Sequence, residues 1–256
     1  MPFTISHAAA VLPLQKWTRE QLPLAALMIG SMSPDFAYFL PADTSRVSTH
    51  SIAGLFSFCW PVGLAIWLLF VRVLEQPTLA LLPENWSARI VPPHRSWTLK
   101  TLLMASAAVI LGAVTHILWD SFTHANTPVT DTFRWLHDAA LEIGGARIPW
   151  YSVLQHASTL IGLACLAVWA VRRLRVPPAP DPPRHFLPTV SNKVRSVAMA
   201  FLLLASFVYA IARLMAHPDN ALEIRLFHFA IGGMTGFAFA WLAVALFISW
   251  MPRSDT

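Results

Sequence analysis

Residues 52–73 read IAGLFSFCWPVGLAIWLLFVRV, with a single charge, Arg72, close to the end of the stretch. A helix of about 20 mainly apolar residues is long enough to cross the hydrocarbon core of a bilayer. The stretch Ile52–Val73 therefore predicts a membrane-spanning helix. Four further stretches share its apolar composition over a similar length: Thr101–Trp119, Ser152–Val171, Arg195–Met215 and Phe227–Trp250.

The composition of the whole chain agrees with this interpretation. Of the 256 residues, 56% are hydrophobic and only 12% are charged, whereas soluble domains carry about 25% charged residues. The mean hydropathy is +0.55. We predict an all-α protein, a polytopic transmembrane bundle of about five to six helices with short interfacial helices.

The net charge of +5 would suggest nucleic-acid binding in a soluble basic protein. Here lysine and arginine lie in short loops between apolar stretches, which is typical of a topology signal at the cytoplasmic face. We therefore expect no nucleic-acid partner.

Two shorter segments precede the first predicted span. Leu22–Leu40 is interrupted by Ser33-Pro34-Asp35, so its apolar part is too short to cross a bilayer. Because proline disfavours a helical residue before itself, we expect a short or re-entrant helix that ends near Pro34. Ile5–Leu14 is a second candidate for a short helix.

The proline-rich stretch 176–189 divides the chain. We predict a membrane-embedded metal-site domain over residues 1–175, a cytoplasmic linker over 176–194 and a two-helix transmembrane tail over 195–256. Arginines on both sides of the linker indicate the cytoplasmic face. Alternate threading then puts the loop 121–150 on the outer side, and we expect an integral membrane protein whose site faces that side.

Histidines and aspartates gather at helix ends that the threading places on the outer side. His116, Asp120 and His124 are spaced i, i+4 and i+8, which puts them on one face of a helix. Two imidazoles and a carboxylate on one face are typical metal ligands. The predicted site consists of Asp35, His50, His116, Asp120, His124 and His156.

Other interpretations of these residues remain open. Ionisable side chains inside a membrane can also form a proton relay. His7 joins the site only if the two short segments before the first span do not cross the membrane. We interpret the remaining histidines as packed interfacial side chains: His94, His137, His185, His217 and His228.

The order of these motifs resembles an uncharacterised bacterial membrane protein family that is similar to membrane-bound metal-dependent hydrolases. The resemblance covers roughly residues 1–170. The motifs in chain order are MPFTISH ending at His7, GSMSPDF with Asp35, THS with His50, HILWDSFTH from His116 to His124, and LQH ending at His156.

A more distant resemblance is to zinc-dependent phospholipase C and the fungal single-strand nucleases. It implies one zinc ion on Asp35, His50, His116 and Asp120, a second shared by Asp120 and His7, and a third on His124 and His156. The chain departs from that pattern at Leu160, where those enzymes have an acid, and at Met1, where they have a processed tryptophan. We therefore expect one or two zinc ions, and a third only if Asp131, Asp138 or Glu142 replaces the missing ligand.

This resemblance implies a metal-dependent hydrolase of the phosphoesterase or phospholipase type in the bacterial inner membrane, with Asp35 and Asp120 as catalytic residues. The expected substrate is a phosphoester in a membrane lipid or a lipid-linked molecule. The alternatives are a proton- or metal-coupled transporter and a scaffold in which a metal only joins helices. The sequence contains no Gly-x-Ser-x-Gly or Cys-x-x-Cys motif that would favour another chemistry.

Overall fold

The computed structural model describes residues 4–39, 46–90, 96–177, 190–218 and 221–251. Most of these residues are helical. The α-helices are α1 (Leu12–Trp17), α2 (Leu24–Met32), α3 (Arg46–Thr49), α4 (Ile52–Gly54), α5 (Trp60–Leu69), α6 (Glu75–Leu81), α7 (Glu84–Ser87), α8 (Leu99–Thr123), α9 (Pro128–Thr132), α10 (Trp150–Arg175), α11 (Asn192–Met215) and α12 (Leu222–Trp250). The 3-10 helices are Thr4–Val11, Ser33–Phe39 and Arg134–His137.

The predicted fold class is confirmed. Within the described residues, five helical stretches are long and apolar enough to cross a membrane. They coincide with the five predicted spans and extend most of them: Ile52–Leu81, Leu99–Thr132, Trp150–Arg175, Asn192–Met215 and Ile224–Trp250.

The first span is longer than the predicted Ile52–Val73 and changes its helical pitch twice. The segments Leu55–Cys59 and Phe70–Leu74 are π-helical. Each lies just before a proline, Pro61 or Pro77. Because a proline ring clashes with the carbonyl four residues earlier and offers no N–H, a widened turn at that position relieves both problems.

The segments before the first span are short. Helix α2 has nine residues and is therefore about 13 Å long, less than half of the hydrocarbon core of about 30 Å. It continues into the 3-10 helix Ser33–Phe39 at the Ser33-Pro34 step, close to the predicted end. The short helix predicted over Ile5–Leu14 corresponds to the 3-10 helix Thr4–Val11 and α1.

Helices α2 and α8 approach each other at two glycines. A Cβ atom on Gly30 would overlap the backbone of Val109, and one on Gly112 would overlap the backbone of Leu27 and Ser31. Small residues allow helix backbones to pack closely where lipid surrounds them. This crossing holds the segment after α2 against the later half of α8.

A β-hairpin in the loop 121–150 was not predicted. Strand β1 (Ala139–Ile143) pairs antiparallel with β2 (Ala146–Pro149). The turn residues Gly144 and Gly145 both have positive φ, 58° and 83°, as a two-residue type I′ turn requires.

The chain divides into two compact units, residues 1–67 with 94–172 and residues 68–93 with 173–256. In the second unit the indole N–H of Trp241 donates to the hydroxyl of Thr78 at 2.8 Å, and α11 packs along α12. Most of the predicted linker, 178–189, lies outside the described residues, as do His94 and His185.

Candidate metal centre

Four separate segments of the first unit bring polar side chains into one buried cluster. His7 comes from the 3-10 helix Thr4–Val11 and Asp35 from the 3-10 helix Ser33–Phe39. His50 lies between α3 and α4, while His116 and Asp120 lie one turn apart on α8. Three of these side chains are almost completely inaccessible: the exposed fractions are 1% for Asp35, 0% for His116 and 2% for Asp120.

Local sequence explains the position of His50. Ser51 is the N-cap of α4, and its hydroxyl accepts a hydrogen bond from the Gly54 backbone N–H at 2.9 Å. An N-cap residue has an extended backbone, so the chain turns at Ser51 just before the first span begins. The imidazole of the preceding His50 consequently lies at the helix entrance rather than along its side.

Four donor atoms form the centre of the cluster. His50 Nε2 lies 3.5 Å from Asp35 Oδ1, 3.3 Å from Asp120 Oδ2 and 3.2 Å from His116 Nε2. His116 Nε2 lies 3.7 Å from Asp35 Oδ1 and 3.5 Å from Asp120 Oδ2.

These distances suit a shared cation. Around a tetrahedral ion with bonds of about 2.0–2.1 Å, neighbouring donors lie about 3.3–3.4 Å apart, and the five distances here span 3.2–3.7 Å. Charge-assisted N–H···O bonds between the same groups would be about 2.7–2.9 Å long, which is shorter than any of the four N···O distances. These spacings are compatible with ligands that share a cation.

The second oxygen of Asp120 faces another imidazole. His7 Nε2 lies 3.4 Å from Asp120 Oδ1, and the His7 ring stacks on the His116 ring with centroids 3.8 Å apart. The ligand atoms of His7, His116 and Asp120 all lie within 4.8 Å of one another, as do those of Asp35, His50 and His116. The two groups share His116, and Asp120 reaches toward both.

Neighbouring polar groups fix the orientation of two ligands. The Thr4 hydroxyl donates to Asp35 Oδ2 at 2.8 Å, which leaves Oδ1 directed at His50 and His116. The His116 Nδ1–H donates to the Ser31 carbonyl at 2.7 Å. A carbonyl can only accept, so Nδ1 carries a proton, and in the neutral imidazole Nε2 is then the atom that offers the lone pair a metal requires.

The protonation of the residues outside the spans also suits a metal. Burial, followed by the nearby His116, lowers the pKa of His7 from 6.5 to about 3, so its imidazole is neutral at pH 7. Burial acts to raise the pKa of Asp35, but the contact with His50 and the charge of His116 outweigh it and the pKa is lowered. A neutral imidazole and an ionised carboxylate are the forms that bind metals.

His7 Nε2 and Asp35 Oδ1 are buried atoms of the cluster that make no hydrogen bond to the described residues. Buried polar atoms normally have a partner, and a cation in each ligand group would supply one. The buried cluster of His7, Asp35, His50, His116 and Asp120 could hold a metal ion.

His124 lies at the edge of this cluster. Helix α8 ends at Thr123, and His124 itself has an extended backbone. Its ring nevertheless turns back toward α8, with Nδ1 3.5 Å from Asp120 Oδ2. The end of the helix therefore does not remove His124 from the neighbourhood of Asp120.

The structure does not bring His156 into either ligand group. His156 is exposed on α10, whereas α10 meets the first 3-10 helix at Gly162, where a Cβ atom would lie 2.8 Å from the Ser6 carbonyl oxygen. The three acids suggested as substitute ligands are also exposed. Asp131 lies 3.9 Å from His137, and Glu142 pairs with Arg147 at 3.3 Å.

A comparison with protein families matches residues 1–246 to the model described as "Domain of unknown function (DUF4184)". The chain belongs to the DUF4184 family. No curated protein and no solved structure matches it. The match includes every residue of the DUF4184 cluster, and it leaves the expected similarity to metal-dependent hydrolases without support.

Sequence reasoning missed two contributors to this DUF4184 centre. Thr4 stands three residues before His7, and a small hydroxyl residue next to a candidate ligand is a signal that could have identified it. Ser31 contributes through its backbone carbonyl, so no side chain in the sequence indicates that role.

Proposed function

We propose that this protein is a membrane-bound metal-dependent hydrolase that acts on a phosphoester in a lipid or lipid-linked substrate. The observation that carries the proposal is the pair of buried ligand groups, Asp35 with His50 and His116, and His7 with His116 and Asp120, whose His–His and His–Asp distances around His50 and His116 are 3.2–3.7 Å. Nitrogen and oxygen donors in a four-coordinate arrangement favour zinc over calcium or magnesium.

The number of ions follows from Asp120. Its Oδ2 belongs to the group with His50, whereas its Oδ1 faces His7. A carboxylate that presents one oxygen to each of two groups is suited to bridge two ions. We therefore propose one zinc ion on Asp35, His50, His116 and Asp120, and a second between Asp120 and His7. A third ion would need His156, which lies outside both groups.

Hydrolysis requires an activated water molecule and stabilisation of the phosphoryl charge, and zinc supplies both when bound. The protein residues prepare the site for that reaction. Asp120 would hold the two groups together. Asp35, oriented by Thr4 and kept ionised by the contacts with His50 and His116, would either ligate the metal or act as the base for water. His116 is fixed in one tautomer by Ser31.

The substrate class is inferred from the depth of the site. Asp120 lies near the end of α8, where the span reaches the interface. Trp119 near the end of α8, and Trp135 and Trp150 in the loop that follows, are exposed, and tryptophan is enriched at the level of lipid headgroups. A phosphoester at that depth belongs to a phospholipid or a lipid-linked phosphate. We propose that the protein lies in the bacterial inner membrane. We propose further that the site faces the outer side, because the arginine-rich loops favour the cytoplasmic side.

The decisive experiment combines elemental analysis with an activity assay. We expect purified protein to contain one or two equivalents of zinc and to hydrolyse phospholipid or polyprenyl-phosphate esters. Removal of the metal with a chelator should abolish hydrolysis, and added zinc should restore it. His116→Ala should lose both metal and activity while Asp131→Asn, a change at an exposed acid outside the cluster, keeps both. A wild-type protein without stoichiometric metal would refute the proposal.

One observation favours a second candidate, a metal that only joins helices. The ligands Asp35, His116 and Asp120 are almost fully buried, and closed sites are typical of structural zinc. In that case the protein would bind metal and lose thermal stability with a chelator, but it would hydrolyse none of the phosphoesters.

A further inference from the structure

The second unit contains a basic cluster at the hairpin end of α11 and α12. Arg213 lies in the last turn of α11, and His217 follows two residues after the helix ends. Arg225 and His228 lie in the first two turns of α12. We call these four residues the basic cluster.

The members of the cluster pack against each other across the hairpin. The rings of His217 and His228 stack with centroids 3.7 Å apart and planes 16° from parallel. One turn further along α12, a Cβ atom on Gly232 would lie 2.8 Å from Arg213 Cβ. The glycine therefore allows the Arg213 stem to lie against α12, next to the stacked rings. Arg225 precedes His228 by three residues, which places it on the same face.

Two charged donors of the cluster have no partner among the residues whose side chains the structure describes. Arg213 Nε and Arg225 Nε are buried and make no hydrogen bond there, and no described acid forms an ion pair with either arginine. His228 Nδ1, a donor or an acceptor according to the tautomer, is also buried without a hydrogen bond. A buried donor left without an acceptor is destabilising, and more so when it belongs to a charged group. A bound anion would accept hydrogen bonds from these donors and neutralise their charge.

Topology does not account for these arginines. If the arginine-rich linker before α11 is cytoplasmic, then the far end of α11 lies on the outer side. Arginine is depleted on that side under the positive-inside rule. The presence of Arg213 and Arg225 consequently needs another reason.

We propose that the basic cluster binds a phosphate group. The planar guanidinium forks of Arg213 and Arg225 match the oxygens of phosphate, which arginine binds bidentately. The cluster lies at the end of two apolar spans, at the level where a bilayer presents its polar headgroups. The shared chemistry is a phosphate group, either in a lipid headgroup or free in solution. The site shares no residue with the metal centre.

The test measures phosphate binding by the full chain. Purified protein is reconstituted in nanodiscs of phosphatidylcholine with and without phosphatidylglycerol, and bound lipid is counted by native mass spectrometry. In a second arm, inorganic phosphate is titrated against protein in nanodiscs of phosphatidylcholine alone. We expect saturable binding of one probe: phosphatidylglycerol identifies a lipid site, and inorganic phosphate identifies a soluble ligand.

Variants then locate the binding. R213Q/R225Q should weaken it about 10-fold or more, because a charge-assisted hydrogen bond contributes about 1.4 kcal/mol or more, which corresponds to tenfold. The matched control R172Q/R173Q removes the same charge from exposed arginines at the end of α10 and should change binding less than twofold. R213K/R225K keeps the charge without the fork and should show intermediate binding.

Three results would overturn the proposal. One is that neither probe binds the wild type, a measurement that depends on no variant. Another is equal loss in R213Q/R225Q and R172Q/R173Q, which would indicate a non-specific charge effect. The third concerns the nearby acids of the sequence: if D219N/E223Q binds phosphate and the wild type does not, the arginines pair within the chain.

Discussion

Replacement of Asp120 by asparagine is the most informative change to the metal centre. Asparagine has the same shape as aspartate but carries no charge and offers a single oxygen. In the structure both oxygens of Asp120 are engaged, Oδ2 at 3.3 Å from His50 Nε2 and Oδ1 at 3.4 Å from His7 Nε2. Asp120→Asn should therefore weaken both ligand groups while the packing of α8 stays as it is.

The size of the effect follows from the position of the residue. Changes to groups that only orient metal ligands cost about 10–100-fold in affinity. Asp120 itself belongs to the proposed ligand set and carries a negative charge in a buried site, so we expect a loss of about 100-fold or more, about 2.7 kcal/mol. His7→Gln removes a residue of one group only, and it should lower the metal content by at most one equivalent.

The assay is elemental analysis together with competition against a chromophoric chelator, on protein purified without chelators. Asp131→Asn is the control, because Asp131 carries the same charge but is exposed and lies outside the cluster. Wild type and the control should have equal metal content. If Asp120→Asn retains the wild-type stoichiometry and affinity, the donor distances do not describe a metal site and the reasoning fails.

Three further predictions concern the surroundings of the ligands. Thr4→Val removes the hydrogen bond that orients Asp35 and should weaken metal affinity about 10-fold without changing stoichiometry, as chelator competition would show. Gly112→Ala adds a methyl group where two backbones touch and should destabilise the protein by about 1–3 kcal/mol, whereas Gly233→Ala, with its nearest neighbour at 3.7 Å, should leave the melting temperature almost unchanged. Because burial lowers the pKa of His7 from 6.5 to about 3, the unfolded metal-free chain binds more protons than the folded one between these values. Its stability should therefore fall by about 2 kcal/mol as the pH drops from 6.5 to 5, and thermal unfolding of chelator-treated His7→Asn should show a smaller decline.

The membrane spans could be predicted from sequence because the bilayer imposes a length and a composition on each of them. The end of the first span could not be predicted from sequence, because Arg72 and Glu75 interrupt the apolar stretch. The helix continues to Leu81 all the same. Its last part lies in the second unit, where Thr78 accepts a hydrogen bond from Trp241, and a partner 163 residues away in the chain leaves no local signal.

The hairpin was missed for a different reason. The Gly144-Gly145 pair is a recognised signal for a type I′ turn, but β1 and β2 show little alternation between apolar and polar residues. Without that alternation the two segments resemble an ordinary loop. Only the two turn glycines indicated a hairpin.

Most of the ligand cluster could be predicted because alternate threading brings distant helix ends to the same membrane surface. His116 and Asp120 are additionally linked by the i, i+4 spacing, which places them on one face wherever the helix lies. His7 was left open because it depended on whether the short segments cross. Helix α2 is too short to do so, and His7 lies beside Asp120.

His156 shows where this reasoning reaches its limit. A position at a helix end predicts the depth of a residue in the membrane, but it does not predict the direction in which the side chain points. Gly162 faces the first 3-10 helix, and His156 stands six residues earlier, about 120° away around the helix axis. The close approach of Gly162 is to Ser6, which belongs to a segment more than a hundred residues earlier in the sequence. Two histidines at the same predicted depth, His50 and His156, can therefore differ completely in their surroundings, and only the packing of the helices distinguishes them.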